Sequence, residues 1–237
     1  MRLATSTAAA LLFMSSAASA LSFNLSQSAQ CAPLNVTFAP SRDTSRFPYI
    51  VWVSSLFSAA QSFQINSNYQ RDANGNITFQ YRVPPQSNTF NSFVVTLADA
   101  KGDANSSRPL VPLNNLGTPS TCDPYTTSAA FTWASDSLTG SINNMVQCGQ
   151  IKLYTVDERG TRPFTITFVP LGGTPLTINI PASATPRQSF FNYTATLPYS
   201  EGTQFFLVAG DATGATSGGA SQLFTVGAAT NAAPTAF

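Results

Sequence analysis

The chain contains no histidine. That absence removes Ser-His-Asp and Cys-His catalytic groupings, imidazole general bases, HExxH zinc sites and histidine pH switches together. Charge is scarce as well. The 237 residues carry 11 Lys+Arg against 10 Asp+Glu, 9% charged with a net charge of +1, where ordinary globular chains run at about 25%. A chain so nearly neutral has no cationic face for displacing counterions from phosphate, which excludes a nucleic-acid binder and a polybasic membrane-surface protein. Past residue 20, no apolar run is long enough to span a bilayer. No segment there sustains a 3.6-residue apolar period with caps, so helices are not expected.

Hydroxyls and aromatics fill the space left by charge. There are 28 Ser, 28 Thr, 18 Phe, 7 Tyr and 2 Trp. Five Asn-x-Ser/Thr acceptors, at Asn24, Asn35, Asn76, Asn105 and Asn192, point to N-linked sugar as the solubilising agent. Met1 to Ala20 reads as a signal peptide, with Arg2, an apolar stretch from Ala8 to Met14 and a cleavage site at Ala18-Ser19-Ala20. The mature chain is expected to start at Leu21 and to be secreted, and no membrane span is expected in it. An oxidising compartment makes a disulfide the expected fate of the three cysteines. A bridge from Cys31 to Cys122 would close the first β-rich segment and leave Cys148 free or intermolecular. The competing pair, Cys122 with Cys148, would clip only a linker.

The chain repeats itself. Gln30-Cys31 recurs as Gln147-Cys148, and Arg46-Phe47-Pro48 ahead of Tyr49 to Val53 recurs as Arg162-Pro163 ahead of Phe164 to Val169. Phe93 to Gly102, with its Asp99-Ala100-Lys101-Gly102 turn, answers Phe205 to Gly214 with Asp211-Ala212-Thr213-Gly214, and Leu116-Gly117 answers Val226-Gly227. Order is kept while spacing drifts, the mark of a duplicated domain of about 100 residues.

Each copy reads as strands. Leu34 to Phe38, Ile77 to Val83 and Thr165 to Val169 alternate apolar and polar residues, which predicts sheets with one dry and one wet face. Asn74-Gly75 suits a type I′ hairpin, and Ala129 to Trp133 reads as the first strand of the second copy. The fold class expected is all-β: two tandem immunoglobulin-like β-sandwiches, at 21–122 and 123–227, with a disordered tail at 228–237.

Candidate chemistry is thin. Asp99 with Asp103, and Asp211, offer too few oxygens for calcium and read better as side chains capping their own turns. Asp157-Glu158, the adjacent acidic pair, reads as a charged hairpin tip at Asp157 to Gly160, since neighbours along a strand face opposite ways. A distant dyad such as Asp72 with Asp136 is the remaining hydrolase reading. Trp52 and Trp133 lie in alternating apolar runs and are expected in the core. Gly172-Gly173 and Gly218-Gly219 read as turns rather than phosphate cradles. No metal, cofactor or catalytic residue is expected.

A further set of segments carries a resemblance. The Gln-Cys opening, Thr177-Ile178-Asn179-Ile180-Pro181-Ala182-Ser183-Ala184, the run from Leu197 to Phe205, Asp211 to Gly214, Ser217-Gly218-Gly219 and Thr225-Val226-Gly227 together resemble the uncharacterised tandem-module cell-surface proteins of filamentous fungi, especially mushroom-forming ones. The similarity spans residues 21–230 and is stronger in the second copy. In the first, Asn105-Ser106-Ser107 stands where the second has its Ser-Gly-Gly segment. Members carry a signal peptide, two such modules and a Ser/Thr-rich stalk with a membrane span or lipid anchor. Stopping at Phe237 departs from that pattern: the chain reads as exported and released unless a longer precursor carries an anchor beyond Phe237, and it lacks the cysteine on which the family's second module tends to close. The function it implies is non-enzymatic: a secreted glycoprotein of the fungal cell surface or wall, structural or adhesive, whose partners are cell-wall polysaccharide or other surface proteins. The alternatives are a lectin-like module, which predicts a row of exposed aromatics on one sheet, and a carboxylate-dependent glycoside hydrolase, which predicts two acids about 5 to 9.5 Å apart in a cleft.

Overall fold

The structure, a computed structural model, describes residues 21–55, 60–85, 92–113, 122, 129–138 and 145–228. The expected leader, Leu116-Gly117 and the tail from residue 229 lie outside the described residues.

Among the described residues, seven strands build the first half: β1 (Phe23–Leu25), β2 (Pro33–Phe38), β3 (Tyr49–Ser55), β4 (Ala60–Ile65), β5 (Ile77–Arg82), β6 (Phe93–Ala98) and β7 (Ala104–Ser106). They form a three-stranded sheet in the order β1-β2-β5 and a four-stranded sheet in the order β4-β3-β6-β7. Alternation sets the register. Leu34, Val36 and Phe38 of β2 turn inward against Val51 and Val53 of β3 and Val95 and Leu97 of β6, and all seven are buried in one cluster.

Among the described residues, nine strands build the second half: β8 (Trp133–Ser137), β9 (Met145–Val146), β10 (Gln150–Thr155), β11 (Thr165–Pro170), β12 (Leu176–Asn179), β13 (Asn192–Thr196), β14 (Gln204–Asp211), β15 (Gly214–Ala220) and β16 (Phe224–Gly227). Their sheets run β13-β10-β8 and β12-β11-β14-β16-β9, with β15 also on β14. β15 and β16 are one broken strand in the place of β7. The same two-sheet plan therefore occurs twice, each copy with its own core, the second around Phe131, Phe164, Phe168, Phe191 and Phe205. The fold is all-β and immunoglobulin-like.

The copies agree in small details. Cys31 and Cys148 both adopt left-handed backbone, φ 61° and 57°, and the Phe47–Pro48 and Arg162–Pro163 bonds are both cis. The prolines correspond, so Arg46 is matched by Thr161 rather than Arg162; Ala100 N–H donates to the Arg46 carbonyl and Ala212 N–H to that of Thr161. A parallel bridge joins Ala29 to Leu113, and a parallel pair joins β9 to β16. Leu113 thus corresponds to Gly227, four residues before the Gly117 that the sequence repeat suggests.

Four local expectations need correction. The first described strand of the second copy starts at Trp133, not Ala129; Ala130, ahead of it, donates its N–H to Ser217 O of β15. Asn74-Gly75 is not a type I′ hairpin, since only Gly75 of the two has positive φ; the turn is closed by Asp72, whose Oδ1 accepts from the Asn74 and Asn76 amides at 2.8 Å each. Asp157 to Gly160 is no hairpin tip, because β10 and β11 belong to different sheets. Gly218-Gly219 lies within β15, where a Cβ on Gly218 would meet Phe131 Cζ at 2.5 Å.

The largest departure concerns the wet faces. Strands β3, β6, β11 and β14 are buried on both sides. Val94 of β6 and Ala60 of β4, which point away from the first core, cluster with Val169, Phe206 and Val208, which point away from the second. The two larger sheets are packed against one another, and the molecule is four layers deep.

Candidate functional site

Each carboxylate singled out from sequence is already occupied. Asp99, whose side chain has no exposure, binds Arg46 Nη1 through Oδ2 at 2.5 Å, and its Oδ1 accepts from the Lys101 and Asp103 amides at 2.9 and 3.0 Å. Asp103 binds the same guanidinium nitrogen. The cation among these oxygens is Arg46, held strongly protonated by the two carboxylates, chiefly Asp103. In the second copy Asp211 accepts from the Thr213 amide at 2.8 Å, the Ser217 hydroxyl at 2.7 Å and the Thr161 amide at 2.9 Å. Burial works to raise its pKa, and these hydrogen bonds outweigh it and hold the carboxyl ionised. Both aspartates cap their turns and tie them to the segment before β3 or β11.

Asp157 and Glu158 face different partners, Arg159 and Arg187. Burial opposes ionisation of Asp157, but the Thr132 amide and the Arg159 guanidinium bring its pKa down to about 2. Asp72 and Asp136 are not joined: Asp72 serves its own turn, and Asp136, opposite Lys152 in the register, accepts from the Tyr154 hydroxyl and so raises that phenol's pKa. Among the described residues, no three His, Cys, Asp or Glu side chains could share a metal ion, and no helix is long and apolar enough to cross a membrane.

Cys31 is bonded to Cys122, with Cα atoms 5.5 Å apart across 91 residues of chain, and Cys148 is a free, half-buried thiol. This excludes the Cys122–Cys148 alternative. Asn24 and Asn192 are exposed on the edge strands β1 and β13. The other three acceptor asparagines are half-buried: Asn105 Nδ2 donates to Leu21 O, Asn76 Nδ2 to Asp72 Oδ2, and Asn35 Oδ1 is buried without a partner. Trp52 is 6% exposed, whereas Trp133 is half-buried against the second core with its Nε1–H donating to Gly218 O at 2.8 Å.

The seam between the modules is apolar at its centre and polar along its edges. Thr216 Oγ1 donates to Ala60 O at 3.2 Å, Ser106 N–H and Oγ donate to Gly173 O at 3.1 and 3.0 Å, and Gly172 N–H donates to Ser107 O at 3.3 Å. Trp52 Nε1, Ser54 Oγ and Thr96 Oγ1 share the face of the sheet that carries Val94, and all three are buried with no hydrogen-bond partner.

One concave feature was not foreseen from sequence. An open groove of about 680 Å³ lies between the Asn68–Asp72 segment and the outward residues of β5, Thr78 and Gln80. Tyr69, 36% exposed, stands in its wall and is the one aromatic among the large apolar side chains left exposed in the described residues. The expected row of exposed aromatics on a sheet is not found among those residues; the outward face of β10 carries Gln150, Lys152 and Tyr154, with Lys152 Nζ 5.3 Å from the Tyr154 ring centre.

No family model matches the chain, and no curated protein is similar to it. Among solved structures, the crystal structure of chicken CNTN1 FN1-FN3 domains matches at 12% identity and a TM-score of 0.25, over 86% of this chain. The chain spans 64% of the length of that structure.

Proposed function

We propose that the chain is a non-enzymatic secreted glycoprotein of the fungal cell surface or wall, working as a structural or adhesive module. The observation that carries the reading is the seam. The larger sheet of each module is spent on its neighbour, so the outward-facing layers are the two smaller sheets, and those are faced mainly with hydroxyl and amide side chains, with Arg82 on the first and the cross-strand residues Lys152 and Asp136 on the second as their charges. Thr37, Thr78, Asn35 and Gln80 share one such face, and Gln150, Thr194 and Thr196 share the other. A stiff block whose hydrogen-bonding outer faces carry few charges suits a matrix of polysaccharide and protein. Sugars on Asn24 and Asn192 would shield edge strands β1 and β13 from pairing with other chains. Against a hydrolase stands the groove, whose one carboxylate, Asp72, is held by its own turn.

Secretion from a yeast host tests this. The expected product begins at Leu21, carries glycan on Asn24 and Asn192, and co-sediments with an insoluble wall fraction. Retention inside the cell with unmodified asparagines would refute it.

A further inference from the structure

We propose that the groove beside Tyr69 is a seat for a neutral saccharide. The inference stands apart from the structural role above and rests on the chemistry of the groove. Its floor is sheet: Asn76, Thr78 and Gln80 alternate along β5 and its lead-in, so all three face one way. Its wall is fixed. Tyr69 N–H donates to Asn66 O at 3.0 Å, Arg71 pairs with Ile77 and lies 5.8 Å from the Phe47 ring centre, and Asp72 is locked by the amides of its own turn. A site so held needs little ordering when a ligand arrives.

The side chains suit sugar rings. A pyranose offers an apolar face of C–H groups, which an exposed aromatic covers, and an equator of hydroxyls that both donate and accept. Tyr69 supplies the aromatic. Asn68, Gln70 and Gln80 supply primary amides, each with a donor and an acceptor side by side, the match for neighbouring hydroxyls, while Asn76 donates from Nδ2 to Asp72. Charge in the groove is balanced, Arg71 against Asp72, which gives no preference for an acidic sugar. Opposite Gln80 in the register is Asn35, whose buried Oδ1 lacks a donor, about 5 Å away across the strand pair. The volume lies in the range of ligand clefts.

A saccharide can reach this groove from two sources: a free polysaccharide, or the chain's own glycan, because Asn76 is an acceptor asparagine in the floor. The test separates them. Unglycosylated protein, made in a bacterial periplasm so that Cys31–Cys122 forms, is titrated with soluble β-1,3-glucan and chitin hexasaccharides and followed by amide resonances. One of the two is expected to give saturable shifts at Tyr69, Gln70 and Gln80, with affinity at least tenfold lower in Tyr69→Ala and unchanged in Tyr154→Ala; near-UV circular dichroism verifies that both variants are folded. In protein from a glycosylating host, nuclear Overhauser contacts between an Asn76 glycan and the Tyr69 ring, with loss of hexasaccharide binding, identify the chain's own sugar as occupant. A bare Asn76 with binding retained identifies an external one. If neither hexasaccharide shifts these resonances in the bare protein and no Asn76 glycan contacts Tyr69, the proposal is overturned. All readouts use purified protein, so failure of secretion or of wall association leaves this outcome unaffected.

Discussion

Phe205 and Phe206 are adjacent on β14, equally buried at 0% exposure, and face opposite ways. Phe205 packs within the second module, with ring centres 5.4 Å from Tyr199, 5.5 Å from Phe224 and 6.0 Å from Phe168. Phe206 packs across the seam with Val94. Truncating either to Ala should cost about 3–5 kcal/mol, but the consequences differ. The seam is held by Val94, Val169, Phe206 and Val208, worth about 1.5–3 kcal/mol each on burial. It is opposed by the unpaired polar atoms of Trp52, Ser54 and Thr96, at roughly 1–3 kcal/mol each. The margin is a few kcal/mol, so Phe206→Ala removes most of it. Scanning calorimetry should show one transition for the parent chain, and for Phe206→Ala two, as the modules uncouple. Phe205→Ala should instead lower the melting of the second module, by several degrees per kcal/mol for a unit of about 100 residues, without exposing the seam while that module is folded. A Phe206→Ala protein that melts in a single transition within about 2 °C of the parent would refute the face-to-face packing.

Opening the Cys31–Cys122 bridge by a double Ser substitution should cost about 4–5 kcal/mol in the chain-entropy model for a loop of this length, read as a lower urea midpoint; Cys148→Ser should leave the midpoint unmoved. With no histidine, stability should be flat between about pH 5.5 and 7.5. Below that range Asp72, Asp157 and Asp211 take over. All three have pKa values lowered by folding, so the unfolded chain binds more protons, and their contribution, complete above about pH 5, is lost as pH falls through the carboxylate range toward 2. Thermal melts across pH 2 to 8 check both halves of the expectation, and a melting temperature that moves by more than about 3 °C between pH 5.5 and 7.5 would contradict it.

The two-fold plan was legible because duplication repeats backbone requirements that few residues meet. A cysteine in left-handed backbone, a proline ahead of the central strand and an aspartate closing a turn recur in order, and each marks a place where the chain has little choice. The seam had a signal too. Phe205-Phe206-Leu207-Val208-Ala209 and Phe93-Val94-Val95 are unbroken apolar runs, which belong to strands covered on both sides, yet neighbouring alternating strands suggested one dry face throughout. The groove left no such trace. Tyr69 sits in a polar stretch without periodicity, and its floor comes from alternate residues of a strand whose outward face reads as ordinary wet surface. Only the return of the Asn66–Asp72 segment alongside β5 brings them together, and that is a tertiary fact.

Where the copies diverge, the backbone is kept and the chemistry that holds it is exchanged. Asp99 and Asp211 close equivalent turns and dock them on equivalent residues, but the first does so with the Arg46 guanidinium and the second with the Thr161 amide and two hydroxyls. Charge in one copy is replaced by neutral donors in the other because the carboxylate requires hydrogen bonds, whatever their source. The same exchange leaves neither buried acid orphaned: Asp99 combines a salt bridge with two main-chain amides, and for Asp211 hydroxyls and main-chain amides take the salt bridge's place. It also places the uncompensated polar atoms in one region. Three of the four buried side-chain atoms left without partners among the described residues face the seam, which makes the contact between modules, rather than either module's interior, the weakest layer of the molecule.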